Sequence, residues 1–585
     1  MSFKELKSSK KARSYVHSSV DRPAISAPIE ESQPGHEPQK ASSDEKLYNA
    51  LPNSLEIRHL EVNGRGLWTK STIKAGVVIF VTKPFASALS TSNLSSYCSS
   101  CFAPSSSNGM RRCTRCRIAH YCDSICQTND WAIHKLECTS LQKWFQAAPS
   151  SDIGPPSDAV RCLSRMLWKL QKRGFDTIQA KEIANMQSHR KSLKPSAYET
   201  HTYLAQSLVQ YMNFSNPADM TQYHLSSAAD LVDTVSRFIT NTFTVTDPTL
   251  VPLGAAVSPV VALINHSCDP NAVVVFPRVF SDPKNNEPLM HVVAIRDIQP
   301  EEDLFILTSY IDATLPTRLR QQSLNETYNF ECRCGLCSMV GVDPRMALNC
   351  PKNCGGLCPL PIEDVDHPLV RCFKCHAVVH SVEAALDALR VSQEGLDKAT
   401  ALQFRDPEKS RRLTTNLIPI LISAGFPPSS HPLLGLTRLH QQLLTESFPN
   451  PLTQDHLDET IRTASQNVNG LTTLLREGHP VLAIALVGLG KLLAVDEPSP
   501  RASDSDLFQK ELTQVYPPSG LPRLQLAYQT LLRARTMLSI GFGVVNEGGQ
   551  VGKEVREMII ALEKEIGVFK QGVRNVFEDT PRVKV

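Results

Sequence analysis

Fifteen of the chain's 17 cysteines fall into two short stretches, seven between Cys98 and Cys138 and eight between Cys332 and Cys375; only Cys162 and Cys268 stand apart. Secreted disulfide scaffolds are short and cysteine-dense throughout, whereas this chain has 585 residues with its thiols clustered. That distribution points to metal binding. In the first cluster the spacing is Cys98-x2-Cys101, Cys113-x2-Cys116, Cys122-x3-Cys126 and His134-x3-Cys138, eight ligands that suffice for two tetrahedral zinc sites. Each x3 pair puts both ligands on one face of a helix. So many thiols in so short a segment leave little for an apolar core, so the metal would supply the folding energy.

Length predicts two to four domains, and 41% hydrophobic residues are enough to give them ordinary cores. The net charge of +3, from 61 basic and 58 acidic residues, argues against a protein that grips nucleic acid through its phosphates. The longest apolar stretch, Val251 to Ile264, is interrupted by Pro252, Gly254, Ser258 and Pro259, so no membrane span is expected. The N-terminus, MSFKELKSSKKAR, has no apolar signal core, and the expectation is an intracellular protein of the nucleus, the cytoplasm or both.

Residues 1–53 are rich in Ser, Pro, Glu, Gln and Lys, which predicts a disordered tail. Lys10, Lys11 and Arg13 read either as a weak nuclear-import patch or as a solvated basic tail. From residue 54 to 97, Leu55, Ile57, the run Gly64 to Trp68 and the run Val77 to Val81 predict short strands. The cysteine cluster occupies 98–138. Helical periodicity follows over 139–240, with Val160, Leu163, Leu167 and Leu170 on one face. A second strand-rich region covers 241–324, from the segments Thr242 to Val245, Val273 to Phe276, Val292 to Ile295 and Leu304 to Leu307. Residues 325–380 are cysteine-rich. Residues 381–585 look helical, with stripes such as Val481-Ile484-Ala485-Gly488 and Leu526-Thr530-Leu531 and a loop around Ser503 to Asp506. The fold class is α+β and multidomain.

Asn265-His266-Ser267-Cys268-Asp269-Pro270-Asn271 is a dense polar run directly after an apolar one. Buried, it must be hydrogen-bonded internally or to a ligand; a purely structural turn is the alternative.

Several motifs together carry a family resemblance. The first cluster, with Tyr121, Gln127 and Trp131 beside its ligands, resembles a MYND zinc finger. That implies an interleaved pairing, with Cys98, Cys101, Cys122 and Cys126 on one zinc and Cys113, Cys116, His134 and Cys138 on the other. It also implies proline-rich peptide partners. NHSCDPN resembles the central motif of SET-domain protein-lysine methyltransferases. Gly64-Arg65-Gly66-Leu67 is similar to their N-terminal glycine motif, Glu302 through Asp312 to their G-E-E to S-Y-I-D segment, and Glu331 to Cys337 to their post-SET motif. Glu301 stands where the family has Gly, Asp303 at its second Glu, and Ala262 where many members have Ser. A finger inserted within the SET pieces is the arrangement of the SET-and-MYND (SMYD-type) family.

The resemblance implies a β-rich SET core split by the finger and a helical insert, then a cysteine-rich post-SET segment and an all-α C-terminal domain. It implies S-adenosyl-L-methionine as cofactor and a protein lysine, histone or other, as substrate. Carried over, Gly64, Arg65, Gly66, His189, Asn241, Asn265, His266, Tyr310 and Phe330 are the cofactor-binding residues. Of these, His189 is placed in a helical stretch after the finger, and Phe330 stacks on the adenine. Tyr310 and Tyr328 are the catalytic residues lining a lysine channel. Cys268 with Cys332, Cys334 and Cys337 makes a third zinc set. A fourth set, Cys350, Cys354, Cys372 and Cys375, resembles a small zinc ribbon outside the common family core, giving three or four zinc ions. The helical tail looks like tetratricopeptide-type helix pairs or a plain helical bundle. The alternative to an enzyme is a catalytically silent scaffold that recruits proteins through the finger and the tail. No membrane contact and no direct nucleic acid binding is expected.

Overall fold

The computed structural model describes residues 51–60, 64–106, 109–147, 154–279, 287–300, 305–339, 341–361, 369–499 and 516–579. The tail over 1–50 with Lys10, Lys11 and Arg13, the segment 301–304 with Glu301, Glu302, Asp303 and Leu304, and the loop around Ser503 to Asp506 lie outside the described residues. Among the described residues no helix is long and apolar enough to cross a membrane.

Three small sheets frame the centre. Strands β1 (Leu55–Leu60) and β2 (Gly64–Thr69) pair antiparallel, with Ile57 opposite Leu67. Strand β3 (Val78–Thr82) belongs to a three-stranded sheet, and β4 (Ala86–Leu89) to a second. The metal-ligand hairpin contributes two short strands, β5 (Arg111–Arg112) and β6 (His120–Tyr121). After the helical insert, β7 (Thr242–Thr246) and β8 (Pro252–Val257) complete the β4 sheet in the order β4-β8-β7. Two-residue β9 (Asn265–His266) precedes β10 (Ala272–Val275) and β11 (Met290–Ala294), which join β3 in the order β10-β11-β3. Strand β12 (Leu307–Thr308) runs parallel to β9. Strands β4, β5, β6, β8 and β9 are not among those expected; the prolines and glycine of Val251 to Ile264 hide β8.

The β10-β11-β3 sheet explains why its strands read as unbroken apolar runs. Ala272, Phe276, Met290, Val292 and Ala294 face the inner core with Phe80. Val273, Val275, Val293 and Ile295 face the opposite way and pack with residues of the C-terminal helices. A sheet buried on both faces has no polar side to alternate.

The insert is a helical layer of its own: α1 (Ser124–Gln146), α2 (Asp158–Arg173), α3 (Ile178–Asn185), α4 (Pro195–Met212), α5 (Pro217–Thr221) and α6 (Ala228–Thr240). Asp123 caps α1 and Ser157 caps α2, each accepting a backbone N–H in the first turn. Helix α2 departs from the expected one-faced stripe, because every residue from Asp158 to Trp168 is buried. Partners distant in sequence satisfy its polar groups. Arg161 donates to the Pro156 and Leu89 carbonyls, and Arg165 binds both Asp130 and Glu137.

Helix α7 (Thr317–Tyr328) and the hairpin β13 (Ala347–Asn349) with β14 (Leu357–Pro359) lead into a final all-helical layer. It comprises α8 (Val382–Leu402), α9 (Pro407–Ser423), α10 (His431–Glu446), α11 (Gln454–Leu474), α12 (Pro480–Leu493), α13 (Leu521–Gly541) and α14 (Gly549–Asp579), each packed on the next. The stripe expected on α12 is not its most buried face. Val481, Ile484 and Ala485 are half-buried, while Leu482, Ala483, Leu486 and Leu493 form the core.

Candidate active site

Strand β2 forms one wall of a cavity of about 1740 Å³. Gly64, at φ +66°, and Arg65 line it. Gly66 lies behind them rather than in the lining; a Cβ there would stand 2.5 Å from the Phe305 ring and 2.7 Å from Asn265 Nδ2. Only glycine lets that ring and that amide close over the strand. The Arg65 guanidinium is already engaged, 3.3 Å from the Glu182 carboxylate and donating to the Asn185 carbonyl, so it staples β2 to α3.

The parallel β9–β12 pair sets Leu307 opposite Asn265 and Thr308 opposite His266. Asn271, fully buried, holds that strand in place: its Nδ2 donates to the Phe305 carbonyl and its Oδ1 accepts the Leu307 N–H, both at 2.8 Å. The sequence alone gives this residue no role of its own, although it closes the NHSCDPN run. Asn265 lines the cavity, and its Nδ2 is buried without a hydrogen-bond partner. Leaving such a donor unmade costs about 1–3 kcal/mol, so the geometry suits a ligand that carries an acceptor.

His266 also lines the cavity, but its ring nitrogens face other groups. Nδ1 accepts the Tyr310 backbone N–H at 3.0 Å, and Nε2 lies 3.3 Å from Cys268 Sγ. The Tyr310 hydroxyl donates to the Ile264 carbonyl. Tyr328 ends α7, and Asn329, at φ +57°, reverses the chain so that Phe330 returns to the cavity. Ring centroids of Tyr310 and Tyr328 are 5.1 Å apart, those of His266 and Phe330 5.7 Å. Burial pushes the Tyr310 phenol up, with Tyr328 adding to the effect, and pushes Tyr328 up to about 12. Both stay neutral at physiological pH and can orient groups but not act as anions.

His189 and Asn241 line the same cavity. His189 sits between α3 and a short 3-10 turn in a left-handed conformation, φ +52°, rather than within a helix. Burial lowers its pKa. Asn241 ends α6, and its Nδ2 donates to the Gln187 and Arg237 carbonyls at 2.8 and 2.7 Å, which leaves Oδ1 as its outward group.

The far wall comes from the C-terminal helices. Arg438, Leu475 and His479 line the cavity together with Asp312, Ala313 and Thr314, and Arg438 pairs with Asp312 at 3.1 Å. Asp312 is enclosed by the cavity walls, yet 40% of its side chain stays open to the space within. Burial alone would raise its pKa; the Arg438 guanidinium and the Thr314 donors outweigh that and hold it at about 2. Burial lowers His479 to about 4 against a small opposing pull from Asp312.

All four expected cysteine sets converge: Cys98, Cys101, Cys122 and Cys126; Cys113, Cys116, His134 and Cys138; Cys268, Cys332, Cys334 and Cys337; Cys350, Cys354, Cys372 and Cys375. Within each, all ligand atoms lie within 4.8 Å of one another. Pairs such as Cys101–Cys122 at 3.7 Å, Cys113–Cys138 at 3.9 Å and Cys268–Cys337 at 3.5 Å match tetrahedral edges. Four sulfurs about 2.3 Å from a zinc ion stand roughly 3.8 Å apart. Outer groups fit too. Glu137 meets His134 Nδ1 at 3.3 Å, and Arg165 holds Glu137. The buried Arg320 donates toward Cys337 Sγ at 3.6 Å, so its charge favours thiolate.

A family model described as the SET domain matches residues 64–307. N-lysine methyltransferase SMYD2 of Gallus gallus is 31% identical over 296 residues, which cover 50% of this chain and 62% of that protein. Histone-lysine N-methyltransferase SMYD3 of Homo sapiens is 27% identical over 283 residues, 48% of this chain and 61% of that one. The matched region thus spans under two thirds of either relative. The crystal structure of the SET domain of LSMT bound to lysine and AdoHcy overlays 89% of this chain and 91% of that one only loosely, at 12% identity and a TM-score of 0.27.

Proposed function

We propose that the chain is a SET-domain protein of the SET-and-MYND (SMYD) type and that it transfers a methyl group from S-adenosyl-L-methionine to a protein lysine. The single observation carrying the proposal is the unpaired, buried Asn265 amide beside Gly64, Arg65 and the Tyr310–Tyr328–Phe330 aromatic group in one cavity. When bound, the cofactor supplies an electrophilic methyl on a sulfonium.

This chain's residues do the rest. Asn265 donates to an acceptor on the cofactor, with His189, Asn241 and Phe330 around it. Tyr310 and Tyr328 sheathe the lysine side chain. A lysine amine with a pKa of about 10.4 must lose its proton before it attacks, and an apolar aromatic sheath disfavours the ammonium. With both phenols neutral, the proton leaves to solvent and the tyrosines orient the amine. The substrate is a protein, histone or other. Cys268, Cys332, Cys334 and Cys337 would hold a zinc ion that ties the His266 segment to the segment carrying Phe330. The finger's exposed Ile125 and Trp131, on α1, offer an apolar surface for proline-rich peptides.

Calorimetric titration with S-adenosyl-L-methionine tests the carrying observation. Wild type should bind, and Asn265→Ala should bind at least about tenfold more weakly, as loss of a hydrogen bond to a charged group costs about 1.5–3 kcal/mol. Equal affinity in a folded variant contradicts the assignment.

A further inference from the structure

Cys350, Cys354, Cys372 and Cys375 stand apart from both the finger and the cavity. Cys350 and Cys375 sulfurs are 3.4 Å apart, and those of Cys354 and Cys372 3.5 Å. A disulfide would need about 2.05 Å; these are ligand-like separations. Two similar turns deliver them. In the first, the Asn353 N–H returns to the Cys350 carbonyl at 2.9 Å, with Asn353 at φ +51°. In the second, the His376 N–H returns to the Cys372 carbonyl at 2.9 Å, with His376 at φ +59°. Each turn aims a backbone N–H at its first sulfur, Lys352 at Cys350 and Lys374 at Cys372, both at 3.4 Å. Donors so placed favour a thiolate over a thiol. At Gly356 a Cβ would stand 2.7 Å from Cys372 Sγ and 3.3 Å from Cys354 Sγ, so only glycine leaves room for the sulfurs to meet.

The β13–β14 hairpin, whose loop is the first of these turns, sits at a joint. On one side Leu348, Leu360 and Val370 share a core with Ala385, Leu396, Leu421 and Phe426 of the helical layer. The Asn349 N–H also donates to the Gly425 carbonyl at 2.8 Å. On the other side Arg345, just ahead of β13, is buried and its Nε donates to the Ala313 carbonyl at 3.0 Å, next to Asp312 on the cavity wall. Ser429 of the helical layer donates to the neighbouring Pro344 carbonyl at 3.2 Å.

We propose that these four thiolates bind one Zn²⁺ of their own, and that the ion pins the joint between the cavity wall and the helical layer. Binding deprotonates the thiols and releases their protons to solvent, with no redox change. The site stands or falls independently of the methyl-transfer reading.

The test counts zinc per chain by native mass spectrometry on the full-length protein, purified without added metal. Four are expected in wild type and three in Cys372→Ser. Four are also expected in Cys358→Ser, which changes the buried thiol beside the set that is not among its ligands. Three in wild type, or four in Cys372→Ser, overturns the site. Should Cys372→Ser fail to fold, alkylation of native wild type decides: the four thiols should resist iodoacetamide until a chelator is added, and labelling without chelator overturns the site. Hydrogen exchange reads the joint. Amides of α8 to α10 should exchange at least about tenfold faster in a three-zinc Cys372→Ser protein, with those of the finger unchanged. Unchanged exchange in α8 to α10 overturns the pinning role.

Discussion

His266 joins Cys268 to Tyr310: one ring nitrogen lies 3.3 Å from the cysteine sulfur and the other accepts the tyrosine's backbone N–H at 3.0 Å. The third cysteine set is therefore coupled mechanically to the aromatic side of the cavity. A zinc ion that fixes Cys268 also fixes the imidazole, and the imidazole fixes the backbone from which the Tyr310 ring projects.

Replacing His266 with Ala should expose that coupling. The Tyr310 N–H loses its acceptor, at a cost of about 1–3 kcal/mol if it stays buried. Methyl transfer should fall at least about tenfold while zinc content is unchanged. Full activity in the variant would show that Tyr310 is held by other contacts.

In the finger, Glu137 is the group to change. It meets both His134 and Arg165, and 2% of it is exposed, so Glu137→Gln weakens two partners at once. Loss of such an outer-shell carboxylate lowers metal affinity by roughly 10–100-fold. Chelator competition should show one zinc released early, with cofactor affinity unaffected because the finger lies away from the cavity. A release profile like that of wild type would remove Glu137 from the metal's support.

His479 gives a pH signature. Burial lowers its folded pKa to about 4, against 6.5 for the free side chain. Between those values the unfolded chain binds the proton that the folded ring refuses, so stability falls as pH drops from about 6.5 toward 4 and is unaffected above. The slope from one such group is at most about 1.4 kcal/mol per pH unit. Denaturant titrations from pH 7.5 to 5 should show a shallower loss for His479→Asn than for wild type. Parallel curves would mean that the ring is protonated as easily in the folded protein as in the unfolded one.

The metal-ligand sets are legible in the sequence because cysteine spacing is local, although only the His134–Cys138 pair shares a helix face as expected; Cys122 precedes the Asp123 cap of α1 and only Cys126 is on the helix. Strands β10 and β11 are legible from their apolar runs, whereas β8, ahead of the NHSCDPN block, and β9, which opens it, are not. What stays hidden depends on distant partners. Arg161 and Arg165 look like a solvent face until Leu89, Asp130 and Glu137 are brought against them. The far cavity wall is invisible for the same reason, since Arg438 meets Asp312 only through the packing of helices 126 positions away. His189 reads as helical because nothing in Ser188-His189 announces a left-handed backbone.

Methyl transfer to lysine is measured by incubating the full-length protein with S-adenosyl-L-methionine carrying a labelled methyl and an array of protein substrates. Label recovered as methyl-lysine from wild type is the predicted result. Tyr310→Phe keeps the ring but removes the hydroxyl bonded to the Ile264 carbonyl, and should lose at least about tenfold in kcat with cofactor affinity retained. No methyl-lysine from zinc-loaded wild-type protein that binds the cofactor would contradict the account and favour a scaffold.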